Sequence, residues 1–226
     1  MENLGSRVEF HSHSIFSDGS LLPAALVREA EVRGCSALAL TDHVDASNME
    51  EVIKALVHFE KETRGQLPIK FIPGVEVSYI KPEFIAEYCR QARHLGAKII
   101  IVHGESPSES VYPGTNHAAV KEKRLVDILA HPGNIVEEDA ILAAENGVFL
   151  ESTARNGHKD GNRHVADLAR LYGAKLIVDT DCHKETDLIT QEQAFALCKE
   201  AGLTDEETLL AIRDNPQELL KRIERR

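Results

Sequence analysis

Histidines and carboxylates recur along this sequence in positions where a divalent cation could use them. His11 and His13 form a His-x-His pair, with Asp18 shortly after. Side chains of an extended segment alternate with period two, so both imidazoles face one side and can ligate a single ion. Asp42 and His43, Glu76, His103, His131, Glu151, and Asp181 with His183 continue the series. Taken singly, a His-x-His or a lone histidine at a strand end has a structural explanation as good as a functional one. Taken together, six of the eleven histidines stand beside carboxylates, which a purely structural scaffold does not require. Imidazole and carboxylate without thiolate suit Zn, Mn or Fe. The candidate ligands are His11, His13, Asp18, His43, Glu76, His103, His131, Asp181 and His183. That set exceeds the roughly four to six donors one ion takes, so two or three divalent ions are expected, with a carboxylate such as Glu76 bridging. Cys35, Cys89, Cys182 and Cys198 form no CxxC pair, so they are read as buried or idle thiols rather than a disulfide framework or zinc site.

The elements that must position these residues are legible in the hydrophobic pattern. Strand candidates lie at 8–10, 37–40, 70–77, 98–102, 126–130, 148–151 and 175–178; the fourth and seventh are almost continuously apolar, as strands buried on both faces are. Between them run amphipathic stretches that end at Gly34, Gly96, Gly147 and Gly173, where a C′ glycine takes the left-handed conformation. Ser47 with Glu50, Thr190 with Gln193, and Thr204 with Glu207 fit capping boxes, and Glu137 and Glu138 suit a helix first turn. Residues 162–172 place Val165, Leu168, Ala169 and Tyr172 on one apolar face. Residues 205–226 are helical in pattern, with a break expected at Asn215–Pro216.

Strands alternating with helices imply right-handed βαβ units and a parallel sheet, either open or closed. The metal-type residues choose between the two. They follow the C-terminal end of nearly every strand candidate, and a barrel opens all those ends onto one face. The expected fold is α/β, a seven-stranded (β/α)7 TIM-like barrel, with residues 1–226 forming one domain.

The ordered motifs HSHSIFSDG, LTDH, PGVE, the histidine after the fourth strand, HPG and DTDCH resemble the polymerase and histidinol phosphatase (PHP) domain superfamily. The likeness runs from His11 to His183. It implies a distorted seven-stranded barrel whose trinuclear centre hydrolyses phosphate esters. By the resemblance, His11, His13, Glu76 and Asp181 would hold one ion, Glu76, His103 and His131 the second, and Asp18, His43 and His183 the third. Some relatives carry His where Asp18 stands. The segment ESTARNGHKDGNRH also looks like that of small PHP proteins compared with histidinol phosphatase.

Such a centre would present a metal-activated hydroxide to phosphorus, with Glu76, Asp181 and His183 in the catalytic constellation. His158 is a candidate proton donor to the leaving group or stacking partner for a substrate ring, set against an ordinary surface-loop histidine. Arg155, Arg163 and Lys184 are the candidate phosphate-binding cations, because guanidinium and ammonium groups meet phosphate oxygens well. Lys159 reads as solvated. Residues 106–123 read as a long polar loop shaping substrate access.

A formal charge of −11 argues against long nucleic acid as partner, and a small phosphorylated substrate is expected. No apolar run approaches the roughly 20 residues of a membrane span, and residues 1–10 contain no apolar signal core, so a cytoplasmic protein is expected. Three alternatives remain: a phosphodiesterase or exonuclease on nucleic acid ends, an amidohydrolase-like enzyme, and a non-catalytic barrel subunit of a ribonucleoprotein. The second typically carries a bridging Lys where His103 stands. Ribonuclease P protein relatives use such a barrel without the metal ligands, which are intact here.

Overall fold

The computed structural model describes residues 3–226. Eight strand segments are β1 (Arg7–Glu9), β2 (Cys35–Leu40), β3 (His43–Val44), β4 (Lys70–Val77), β5 (Ile99–His103), β6 (Ile128–Ala130), β7 (Phe149–Thr153) and β8 (Leu176–Asp179). All pairings are parallel, in the order β1-β2-β4-β5-β6-β7-β8, with β3 also on β4. β2 and β3 run along β4 in one register, Leu40 opposite Pro73 and His43 opposite Glu76. They are therefore one barrel strand interrupted at Thr41–Asp42, and the barrel has seven strands, as the pattern predicts.

Closure between β8 and β1 is where the barrel is distorted. A bridge at Ser12 and Cys182 joins the two segments above the strands, with the His13 N–H donating to the Cys182 carbonyl at 2.7 Å. Below it, side chains replace the ladder. Asp179 accepts from the Phe10 N–H at 2.7 Å, Glu9 from the Thr180 N–H at 2.9 Å, and the Arg7 guanidinium donates to the Val178 carbonyl.

Strand alternation sorts the core into two. Val8, Phe10, Ala37, Ala39, Ile72, Ile99, Ile101, Ile128, Phe149 and Ile177 fill the barrel interior, while Leu38, Leu40, Ile100, Val102, Leu129, Leu150 and Val178 face the surrounding helices. Those helices are α1 (Pro23–Val32), α2 (Met49–Glu62), α3 (Pro82–Leu95), α4 (Thr115–Val120), α5 (Glu137–Asn146), α6 (Asn162–Tyr172), α7 (Gln191–Glu200) and α8 (Asp205–Leu209). α9 (Asn215–Ile223) instead packs Leu219, Leu220 and Ile223 against the interior cluster and stops the end opposite the histidines. Gly96, Gly147 and Gly173 cap their helices in the left-handed conformation, and the boxes at Thr190/Gln193 and Thr204/Glu207 form.

Three local expectations are corrected. Ser47 does not cap α2: its hydroxyl donates to Asp45 at 2.6 Å, a nearer carboxylate acceptor, and Glu50 pairs with Lys54. Residues 106–123 are not all loop, because α4 occupies Thr115–Val120; Glu105 accepts from the N–H groups of Gly114 and Asn116 and fastens the two ends of the intervening loop. The chain is not broken at Asn215–Pro216. It passes through a wide π turn at Leu210–Asp214, and Pro216 sits in the first turn of α9, where a missing N–H costs nothing.

Candidate metal centre

Glu76, His103 and Glu151 share the parity of the interior residues Ile72, Ile101 and Phe149, so β4, β5 and β7 deliver them to the barrel mouth. His11 and His13 come from the segment bridged to Cys182. Asp181 and His131 sit just past β8 and β6 with φ of 48° and 29°, a left-handed conformation that costs a non-glycine residue about 1–3 kcal/mol. The loop after His13 is folded around Asp42, whose carboxylate accepts from the Ser14 N–H at 2.7 Å and from the hydroxyls of Ser14 and Ser17. At Gly19 a Cβ would lie 2.1 Å from the His13 carbonyl oxygen, so no side chain fits there. The turn returns Asp18 to within 3.1 Å of His183 Nε2 and 3.8 Å of His43 Nε2.

The result is a continuous array. His13 Nε2 stands 3.0 Å from Asp181 Oδ1 and 3.5 Å from Glu76 Oε2; His11 Nε2 stands 3.3 Å from Glu76 Oε2 and 3.6 Å from Asp181 Oδ1. His131 Nε2 lies 3.9 Å from Glu76 Oε1. Four groups have donor atoms within 4.8 Å of one another: His11, His13 and Glu76; His11, His131 and Asp181; Glu76, His103 and His131; and His13, Asp18, His43 and His183. The array therefore brings together all nine candidate ligands read from the sequence.

The donors fit a cation. His11 Nε2, both His13 nitrogens, both Glu76 oxygens, His103 Nδ1, His131 Nδ1 and Asp181 Oδ1 are buried without a hydrogen-bond partner. His43 Nδ1 lies 2.8 Å from Glu76 Oε2, but the contact lacks hydrogen-bond geometry and that nitrogen bonds Ser78 Oγ instead. Buried polar atoms left unpaired cost stability, and a bound ion would satisfy them.

Titration follows the same crowding. Burial and the neighbouring His43 push His13 down to about 4, and burial with His103 pushes His131 well below the usual range. Burial would also lower His43, but Glu76 and Asp18 overcome it and raise it to about 9. Burial alone would raise Glu76 and Asp181; the surrounding imidazoles hold both well below the usual carboxylate range. The ionised carboxylates suit cation binding; His43, and His11, which burial would lower but Glu151 and Glu76 raise, would each give up a proton to a bound ion.

Beside the array opens a polar cavity of about 620 Å³ lined by Asp18, Arg155, His183, Lys184 and Asp187 among others. Arg155 Nη1 donates to the Asp181 carbonyl at 3.2 Å and lies 2.8 Å from His183 Nδ1, which is itself 2.8 Å from the same carbonyl. Arg163 is not brought there. α6 buries Asn162, Val165, Ala166 and Ala169, and this phase turns Arg163 outward against Gly202. Lys159 shares that outer surface. His158 is buried, not a surface-loop residue: it stacks on His131 at 4.2 Å, with Nδ1 on Ser106 and Ser108 and Nε2 3.2 Å from Glu109.

Sequence reading missed Glu109. Its carboxylate lies 2.8 Å from His103 Nε2 and accepts from Tyr79 Oη at 3.0 Å, a position set by a loop and signalled by no motif. Asp42 and Glu151 were visible as strand-end carboxylates, but their partners were not. All four cysteines are buried and free.

A parallel barrel whose strand ends converge on imidazole and carboxylate donors defines a class of protein able to hold cations at the barrel mouth. This chain belongs to the PHP domain family, whose model matches residues 9–158. It is 44% identical over 219 residues to uncharacterized protein MJ1295 of Methanocaldococcus jannaschii, covering 96% of this chain and 100% of that one. Ribonuclease P protein component 3 of Methanosarcina mazei is 26% identical, covering 95% of this chain and 88% of its own length. The fold is also that of histidinol phosphate phosphatase from Lactococcus lactis, solved with zinc, L-histidinol and phosphate: TM-score 0.65, 19% identity, 88% of this chain and 95% of that chain.

Proposed function

We propose that this PHP-family chain, residues 1–226 as one domain, is a metal-dependent phosphomonoesterase acting on a small phosphorylated metabolite. The observation that carries the reading is the set of buried, unpartnered donors around Glu76 and Asp181 beside a polar cavity that holds Arg155 and Lys184. His11, His13, Glu76 and Asp181 would hold one ion, Glu76, His103 and His131 a second, and Asp18, His43 and His183 a third at the rim. Bound there, divalent zinc, manganese or iron supplies Lewis acidity toward a phosphoryl oxygen and makes water a stronger acid.

The chain's own residues do the rest. Arg155, braced by the Asp181 carbonyl and by Asp187 at 3.7 Å, offers guanidinium N–H groups to the phosphate, where charge develops on the equatorial oxygens. Lys184 adds a second cation on the cavity wall. His183 is held by Arg155 and Asp18 at the boundary between the cavity and the array. His158 has both ring nitrogens engaged by protein partners, so in this arrangement it buttresses His131 rather than donating a proton. The net charge of −11 and the absence of a membrane-spanning helix among the described residues support a small substrate and a cytoplasmic setting.

The likeness to a ribonuclease P component favours one other reading, a barrel that serves RNA. Hydrolysis by metal-loaded protein, read as phosphate release from histidinol phosphate or a nucleoside monophosphate and as nucleotide formation from a dinucleotide, separates the cases. Faster release from the monoesters is expected. Preferential cleavage of the dinucleotide would replace this reading with a phosphodiesterase, and no hydrolysis with tight RNA binding by metal-free protein would replace it with the RNA-serving barrel.

A further inference from the structure

Beneath the array, Glu151 stands in the middle of β7 with no exposed surface. Its two carboxylate oxygens are divided between two candidate ligands. Oε1 lies 2.9 Å from His11 Nδ1, and Oε2 accepts from the backbone N–H of His131 at 2.7 Å. An ionised carboxylate accepts only, so His11 presents a proton from Nδ1, and in its neutral form keeps the lone pair on Nε2 for an ion. That Nε2 is the nitrogen facing Glu76 and Asp181, and it has no hydrogen-bond partner. The second oxygen holds His131 where its φ of 29° would otherwise relax.

We infer that Glu151 is a positioning residue for the metal centre: one carboxylate fixes the tautomer of His11 and the strained backbone of His131. It is not itself among the clustered donor groups, and it meets the array only through His11 and the His131 N–H. Carboxylates that accept from the far nitrogen of a metal-bound imidazole fix its orientation and raise its basicity, and losing one typically weakens metal binding about 10–100-fold. The inference rests on the metal assignment proposed above, but not on the reaction.

Glu151→Gln keeps the shape and replaces one acceptor oxygen with an NH2 group. The amide that results has one oxygen, which can accept from His11 or from the His131 N–H, but not from both. Two measurements on zinc-loaded protein test this. Long-range 1H–15N NMR of the wild type should show His11 protonated at Nδ1 and coordinated through Nε2; coordination through Nδ1 overturns the inference without any variant. Competition with a chromophoric chelator should show zinc held about 10–100-fold more weakly by Glu151→Gln, with Glu151→Asp recovering part of the loss. Wild-type zinc affinity in Glu151→Gln overturns it, even if phosphate is released. Zinc binding that responds to Glu151→Gln in a protein that releases no phosphate supports the inference and overturns only the phosphatase reading.

Discussion

At the scale of single residues, the array is defined by donor atoms that the protein itself leaves unpaired. Glu76 and the imidazoles of His11 and His13 are buried beyond the reach of water, and their donor atoms point at one another rather than at protein hydrogen-bond partners. Arg155 is the residue that connects this array to the cavity. Its guanidinium is partly exposed, and its partners are a carbonyl, an imidazole and carboxylates that orient it without covering it. Arg155→Ala should raise KM for a phosphomonoester and lower kcat/KM by about 10–100-fold, the worth of one hydrogen bond to a charged group. Steady-state kinetics at fixed metal content checks this; an unchanged kcat/KM would remove Arg155 from the phosphate site.

At the scale of elements, α9 shows how the end opposite the centre is held. Asp127, fully buried just before β6, accepts two bonds of 2.9 Å from Arg226 and pairs with Arg93 of α3, with Arg222 at 3.5 Å. Burial would raise its pKa, but the three guanidinium groups hold it below the ordinary carboxylate value. A depressed folded-state pKa means this stabilisation is fully present above the unfolded value of about 3.9 and is lost as pH falls through the folded one. Asp127→Ala should cost about 1–3 kcal/mol at neutral pH, because it removes charge-assisted bonds to partly exposed guanidinium groups, and should lose less at low pH. Urea unfolding of the metal-free protein at pH 7 and pH 3 measures both.

Elements were also where sequence reading went furthest and where it failed. Short apolar runs and glycine caps placed seven barrel strands to within a residue or two, because both are local. The convergence of Glu76 and His103 could be read from their places at the C-terminal ends of strands. What could not be read depends on how loops return. Glu109 reaches His103 from a loop pinned by Glu105 and Asn116, and Arg163 turns away because the phase of α6 is fixed by its packing face. Ser47 spends its hydroxyl on Asp45, two residues before it, a local turn that competes with the helix cap.

At the scale of the whole molecule, the barrel divides into an apolar half that carries stability and a polar mouth that carries chemistry. Interior residues from Phe10 to Ile177 and the plug of α9 support strands whose other ends are left rich in charge and partly strained. The gap between β1 and β8 belongs to both halves, since Glu9 and Asp179 close it and the segments just above supply His11 and Asp181. The charge of −11 is partly that of the mouth, and cations bound there would offset it.

Elemental analysis of protein purified without chelator tests the metal centre most directly, run alongside His11→Ala and Asp181→Ala. Two or three equivalents of zinc, manganese or iron in the wild type, falling in both variants while the barrel stays folded, are predicted. Fewer than one equivalent in the wild type, or a content that neither substitution changes, would contradict it.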